Sequence, residues 1–242
     1  MQRAVACAAV LMLVAAVAVP ASAETWVQVR YWPTNARWDL TLNPTWTSAM
    51  WGLTIRHTLA GGAWAASFNI DSGPITNDPW GSPGQFNRFW NINLHRNFRT
   101  DAGLFSVYAG WGSSAFELPN FTFVPAFIRH SGPRLGVDAR VNFRERWHLA
   151  ADLGYTFNGT TTAQCVYTSP CGPEPSWNSS VFDARIGIGY TVGGWGLEAG
   201  YRWINWAQTN LPATAASVCP GLNCGMAWNG LYVGLNFSPV RP

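Results

Sequence analysis

The chain contains no lysine: all fifteen basic side chains among its 242 residues are arginine. A water-exposed surface of this size would carry some lysine, and charged residues make up only 11% of the chain against a usual share of about 25%. The formal charge of +3 and the absence of a basic run argue against a nucleic-acid partner. Apolar residues never run beyond Val19 for the ~20 residues a spanning helix needs, so no membrane helix is expected in the body of the chain. Histidine occurs four times and cysteine five. Neither is arranged in a metal-ligand pattern, so no metal or other cofactor is expected.

Aromatic residues and glycine are abundant instead, with 15 Trp and 24 Gly. They are organised most clearly in VFDARIGIGYTVGGWGLEAGYRWINW, from Val181 to Trp206. Phe182, Ala184, Ile186, Ile188, Tyr190 and Val192 share one parity, and Asp183, Arg185, Gly187, Gly189 and Thr191 the other. That is the two-residue period of a strand. Beyond Gly193-Gly194, which suits a two-residue hairpin turn, the alternation resumes with Trp195, Leu197, Ala199, Tyr201 and Trp203 opposite Gly196, Glu198, Gly200 and Arg202. The polar face holds small groups and pairable charges, as a crowded lumen would. The apolar face therefore points to lipid. Trp195 and Trp203 lie about 20 Å apart along a tilted strand, near the ~25 Å between aromatic girdles.

Residues 1–23 predict a secretory signal, with Arg3 leading an apolar run to Val19 and Ala21-Ser22-Ala23 marking cleavage before Glu24. Cys7 would leave with it. The remaining Cys165, Cys171, Cys219 and Cys224 fall in Pro/Gly-rich loops of an exported chain, and pairing 165 with 171 and 219 with 224 is favoured among three connectivities. A zinc site is the alternative, but no histidine or CxxC partner accompanies them.

Across residues 24–242 the alternation repeats in ten segments. Connections are short near 60–62, 99–103, 144–146 and 193–194, and long near 33–49, 72–85, 113–133, 158–180 and 207–225. The first long stretch is ambiguous, since Arg37 to Leu42 could extend a strand beyond a break at Pro33. All long loops then fall at one end, both termini at the other. The expected fold is all-β, a closed antiparallel transmembrane barrel of ten strands, with eight as the alternative count. Closure satisfies backbone groups that lipid cannot.

The inward face carries Arg30, Arg56, Asp138, Arg140, Asp152, Asp183, Arg185, Glu198 and Arg202. Buried charges persist when paired, so these predict a salt-bridged network that plugs the lumen. A narrow pore lined by both signs is the alternative. The segment SSAFELPNFTFVPAFIRHSG is unusually apolar for a solvated loop, and Phe116, Phe121, Phe123 and Phe127 are candidate contacts for the barrel mouth, other loops or a protein partner.

The signal, the ten alternating strands and the ending WNGLYVGLNF resemble bacterial outer-membrane β-barrel proteins of the small porin-like type, over the whole mature chain. That resemblance implies an outer-membrane location and lipid as the surrounding partner; oligomeric state is left open. His130-Ser131 is the only adjacent His/Ser pair, and it matches the lipid A deacylases loosely, because that family separates the two residues by one. Omptin proteases share the strand count, but the outer strand ends show no Asp-Asp or Asp-His pair. The expectation is therefore a non-enzymatic barrel with a structural or surface-contact role, ahead of a narrow channel and then a lipid-modifying enzyme.

Overall fold

A computed structural model of the chain describes residues 24–38, 45–59, 61–76, 86–117, 127–164, 176–209 and 224–238. The signal segment, the pairing of the cysteines and the sites of Phe121 and Phe123 lie outside these residues. The ten strands are β1 (Thr25–Trp38), β2 (Thr45–Thr58), β3 (Trp64–Thr76), β4 (Phe86–Thr100), β5 (Gly103–Glu117), β6 (Phe127–Arg144), β7 (Trp147–Gln164), β8 (Ser176–Val192), β9 (Trp195–Thr209) and β10 (Cys224–Phe237). Each pairs antiparallel with its sequence neighbour, and β1 pairs with β10 to close the barrel. Ten strands is the expected count. The turns do what the glycines predict: Gly193 adopts φ +58° between β8 and β9, a conformation disfavoured for residues with a Cβ.

The strands reach further than the sequence pattern indicated. They run 13 to 18 residues, whereas a tilted spanning strand needs only about 9–11. Parts of every expected long loop are strand: 33–38 and 45–49, 72–76, 113–117 and 127–133, 158–164 and 176–180, and 207–209 with 224–225. Pro33 does not end β1. It lacks an N–H, and the ladder to β10 is interrupted between Tyr31 and Asn35, while pairing with β2 continues through Pro33↔Ala49. Side chains fill the gap: Trp32 Nε1 donates to the Gly230 carbonyl at 3.3 Å and Thr34 Oγ1 to that of Asn229 at 3.1 Å. At Asn158 a φ of 46° makes a bulge, and β7 resumes beyond it with its inward parity shifted to Gly159 and Thr161.

The exterior changes character along each strand. Near the short turns it is an apolar band, with Val29, Ile92, Leu135, Leu153, Ile186, Leu197 and Leu231 exposed. Aromatic pairs mark both rims. Phe98–Phe105 (6.1 Å), Trp147–Tyr190 (4.9 Å) and Trp195–Phe237 (4.7 Å) stand at the turn end; Tyr31–Trp51 (5.0 Å) and Phe182–Trp203 (5.7 Å) stand at the upper edge. Beyond that edge the exposed positions become Asn35, Arg37, Thr45, Thr76, Arg129, Thr160, Ser176, Asn178 and Thr209. At about 2.5 Å of height per tilted residue, the longest strands project roughly 20 Å past a ~25 Å apolar band.

Candidate functional site

The interior is the mirror image of the exterior. Behind the apolar band it is polar and charged; in the projecting half it is apolar and packed. The projecting half is filled by Trp32, Trp38, Trp46, Met50, Phe89, Phe116, Ile128, Trp177, Val181, Ile204, Trp206, Met226 and Trp228, all buried and in one cluster. Trp206 and Trp228 stack at 6.2 Å, Phe89 meets Trp228 edge-on at 5.0 Å, and Phe116 packs between Trp46 at 5.1 Å and Trp38 at 5.9 Å. Water surrounds this half, so its inward side chains obey the rule of a soluble barrel. Phe116, expected in a loop, stands instead on β5 and points into the barrel, 0% exposed and packed in the aromatic tier. Phe127 opens β6 and is half-buried.

Beneath the aromatic tier a chain of charges crosses the lumen. Arg30 donates from Nε and Nη2 to the two oxygens of Asp71, each at 2.9 Å. Arg202 Nη1 reaches Asp71 Oδ2 at 2.7 Å, while its Nε and Nη2 hold the two oxygens of Asp183 at 3.0 Å. Arg134 Nη2 completes the row with Asp183 Oδ2 at 3.2 Å. Five strands, β1, β3, β9, β8 and β6, thus contribute to one layer, and bidentate geometry makes it specific as well as strong. Arg202 also lies 4.7 Å from the Trp32 ring, joining the ionic and aromatic tiers. Gly52 leaves the space this layer occupies: a Cβ there would sit 2.0 Å from Asp71 Oδ1 and 2.7 Å from Arg30 Nε. Gly52→Ala should therefore force the pair apart and lower the unfolding free energy by about 1–3 kcal/mol, read as a shifted urea midpoint of the refolded barrel.

Below the ionic layer a cavity of about 330 Å³ extends to the turn end, where Glu24, Gly193 and Ser238 line its mouth. Arg56 Nη1 donates to Asp138 Oδ1 at 2.7 Å. Arg185 reaches Asp152 at 3.6 Å, Tyr108 Oη donates to the same carboxylate at 2.8 Å, and Tyr232 Oη to Glu198 at 2.7 Å. Arg140 bonds His148 at 3.2 Å and Thr191 at 3.0 Å.

The nine charged residues singled out by alternation all face this interior, divided between the ionic layer (Arg30, Asp183, Arg202) and the cavity (Arg56, Asp138, Arg140, Asp152, Arg185, Glu198). Asp71 and Arg134 join them and were not anticipated in the network. Asp71 stands one residue before the expected loop 72–85 and Arg134 one residue after the expected loop 113–133, each within a strand. His130 and Ser131 are separated, because adjacent strand residues face opposite sides. The His130 ring is buried in the aromatic tier with Nδ1 2.6 Å from Ser179 Oγ. Of the cysteines, Cys224 begins β10, and Cys165, Cys171 and Cys219 lie outside the described residues.

Closed sheet, lipid-compatible exterior and charged lumen define a transmembrane β-barrel of the bacterial outer-membrane kind, and place the chain in that membrane. Solved structures agree at the level of fold. The outer membrane protease OmpT from Escherichia coli superposes with a TM-score of 0.58 at 11% identity, over 91% of this chain and 97% of that one. The Pseudomonas putida toluene transporter TodX (TM-score 0.33, 9% identity, 91% and 90% covered) and Neisserial surface protein A (0.31, 11%, 88% and 96%) superpose more loosely. No protein-family model and no curated protein matches the sequence.

Proposed function

We propose that the chain is a closed, non-conducting outer-membrane barrel with a structural or surface-contact role, its projecting half acting as a solid post for the outer connections. The observation that carries this reading is the Arg30–Asp71–Arg202–Asp183–Arg134 row across the lumen beneath a filled aromatic tier. A conducting path would have to part both. The post supports surface contact because it holds the strand ends roughly 20 Å beyond the apolar band, and a packed interior keeps them in fixed relation. A protein partner would meet the outer connections.

The test is single-channel recording of the refolded mature chain in a planar bilayer, with folding established independently by electrophoretic mobility before and after heating. Silent bilayers are expected. Reproducible conductance steps would reject the closed barrel in favour of a narrow channel for small solutes, and reversal potentials would then report its ion preference.

A further inference from the structure

We infer that Ser67, His95 and Asp138 form a nucleophile, base and orienting acid inside the turn-end cavity, a catalytic site for hydrolysing small, water-soluble, anionic esters. Ser67 Oγ lies 2.8 Å from His95 Nε2, and His95 Nδ1 lies 2.9 Å from Asp138 Oδ2. The two ring nitrogens are used in the order acyl transfer requires: one faces the hydroxyl whose proton it takes, the other is oriented by a carboxylate. Asp138 is itself fixed, since its other oxygen accepts from Arg56 Nη1 at 2.7 Å, and Arg56 is held by Asn97 at 2.6 Å and Ser106 at 2.8 Å. The residues project from β3, β4 and β6, rigid elements that hold such a constellation more tightly than loops do. Asn93 Nδ2, 3.4 Å from Ser67 Oγ, is a donor beside the reacting atom.

A buried polar network could show the same bonds merely to satisfy its own groups. Two further observations point to a substrate. Ser67, His95 and Asp138 all line the 330 Å³ cavity, which reaches the turn end. That volume stands at the low end of the ~300–1,000 Å³ of small-molecule pockets, too small for a polypeptide or a whole phospholipid. Arg140, on the same inward face two residues along from Asp138 and so about 7 Å away, lines the cavity as well. Among the described residues it has no carboxylate within ion-pair distance, unlike the other lumen arginines, Arg30, Arg56, Arg134, Arg185 and Arg202. A guanidinium with no carboxylate in direct contact, tied to Glu198 only through His148, favours a carboxylate or phosphate group on the ester.

The reaction balances with water as the only co-reactant. Ser67 Oγ attacks the ester carbonyl while His95 Nε2 accepts the hydroxyl proton. Collapse of the tetrahedral adduct breaks the carbonyl–alkoxy bond, and the alcohol leaves with that proton. Water then attacks the acyl-serine, giving a proton to His95 that returns to Ser67 as the carboxylic acid departs. Closure of the barrel above the ionic layer does not obstruct this, because the site is reached from the turn end.

The test uses the full mature chain refolded in detergent, a biotinylated fluorophosphonate with peptide mapping, and two esters, 4-nitrophenyl acetate and mono-4-nitrophenyl succinate. Labelling of Ser67 is expected, with hydrolysis falling at least 100-fold in Ser67→Ala and His95→Asn. Arg140→Gln should lower the preference for the succinate ester, the ratio of the two kcat/KM values, about tenfold. No label at Ser67 on a folded wild-type barrel, or hydrolysis that survives Ser67→Ala, overturns the site. A preference that Arg140→Gln does not move overturns the anionic substrate. The wild-type label decides the matter even where a variant fails to fold.

Discussion

An Asp71→Asn barrel should lose about 3–5 kcal/mol of stability, the usual cost of removing one partner from a buried ion pair. Asp71 is 1% exposed and accepts three charge-assisted bonds, two from Arg30 and one from Arg202. Asparagine preserves the shape and one acceptor oxygen. It removes the charge that lets two guanidinium groups share one layer with a third, Arg134, against Asp183 alone. The loss should arise from uncompensated charge and not from missing contact area. Equilibrium urea unfolding in lipid vesicles, followed by tryptophan fluorescence, measures it. Adding Arg30→Met to Asp71→Asn should recover more than half of the loss, since an apolar chain of similar length can replace a buried ion. Losses that simply add in the double variant would mean the layer is held by geometry and not by charge balance.

The sequence made the lumen side of each strand legible and hid where each strand ended, for one reason. Alternation reports a difference between two environments, and along these strands the outer environment changes from lipid to water. On β1 the apolar parity is Val27, Val29 and Tyr31 outside, then Trp32, Ala36 and Trp38 inside, with Asn35 and Arg37 outside. On β9 the crossing is Trp203 to Ile204, outward then inward in consecutive positions. A reader following one parity sees the pattern fail at that point and infers a loop. Continuing the lumen parity of β5 through Ser106, Tyr108, Gly110, Gly112 and Ser114 would have placed Phe116 inside, and the same step on β3 and β6 would have added Asp71 and Arg134 to the network. Ser67, His95 and Asp138 are a different case. Their residue types and inward parity were visible, but they are 28 and 43 residues apart, and only the strand registers Ala65↔His95 and Ser106↔Asp138 bring them to one level of the lumen.

The two solvents also separate the two tiers energetically. In the membrane-embedded half, lipid outside removes any hydrophobic gain from inward packing, and the lumen is held by ion pairs and hydrogen bonds. In the projecting half, water outside restores that gain, so the aromatic tier should behave as the core of a soluble protein. Trp228 is 0% exposed and packs on Phe89 and Trp206. Trp228→Ala should cost about 3–5 kcal/mol through lost burial and the cavity left behind. Because the tiers are stacked, the loss should be local: amide hydrogen exchange should accelerate at the loop-end residues of β1, β9 and β10, while the turn-end halves of the same strands keep their protection. Uniform acceleration along the strands would show that the barrel is one cooperative unit. Conductance separates the tiers a second way. A Trp206→Ala, Trp228→Ala barrel should stay silent, since the row from Arg30 to Arg134 still crosses the lumen, and steps should appear only when Asp71→Asn is added. Current through the tryptophan variant alone would assign the seal to the aromatic tier and leave the ionic row with a purely structural part.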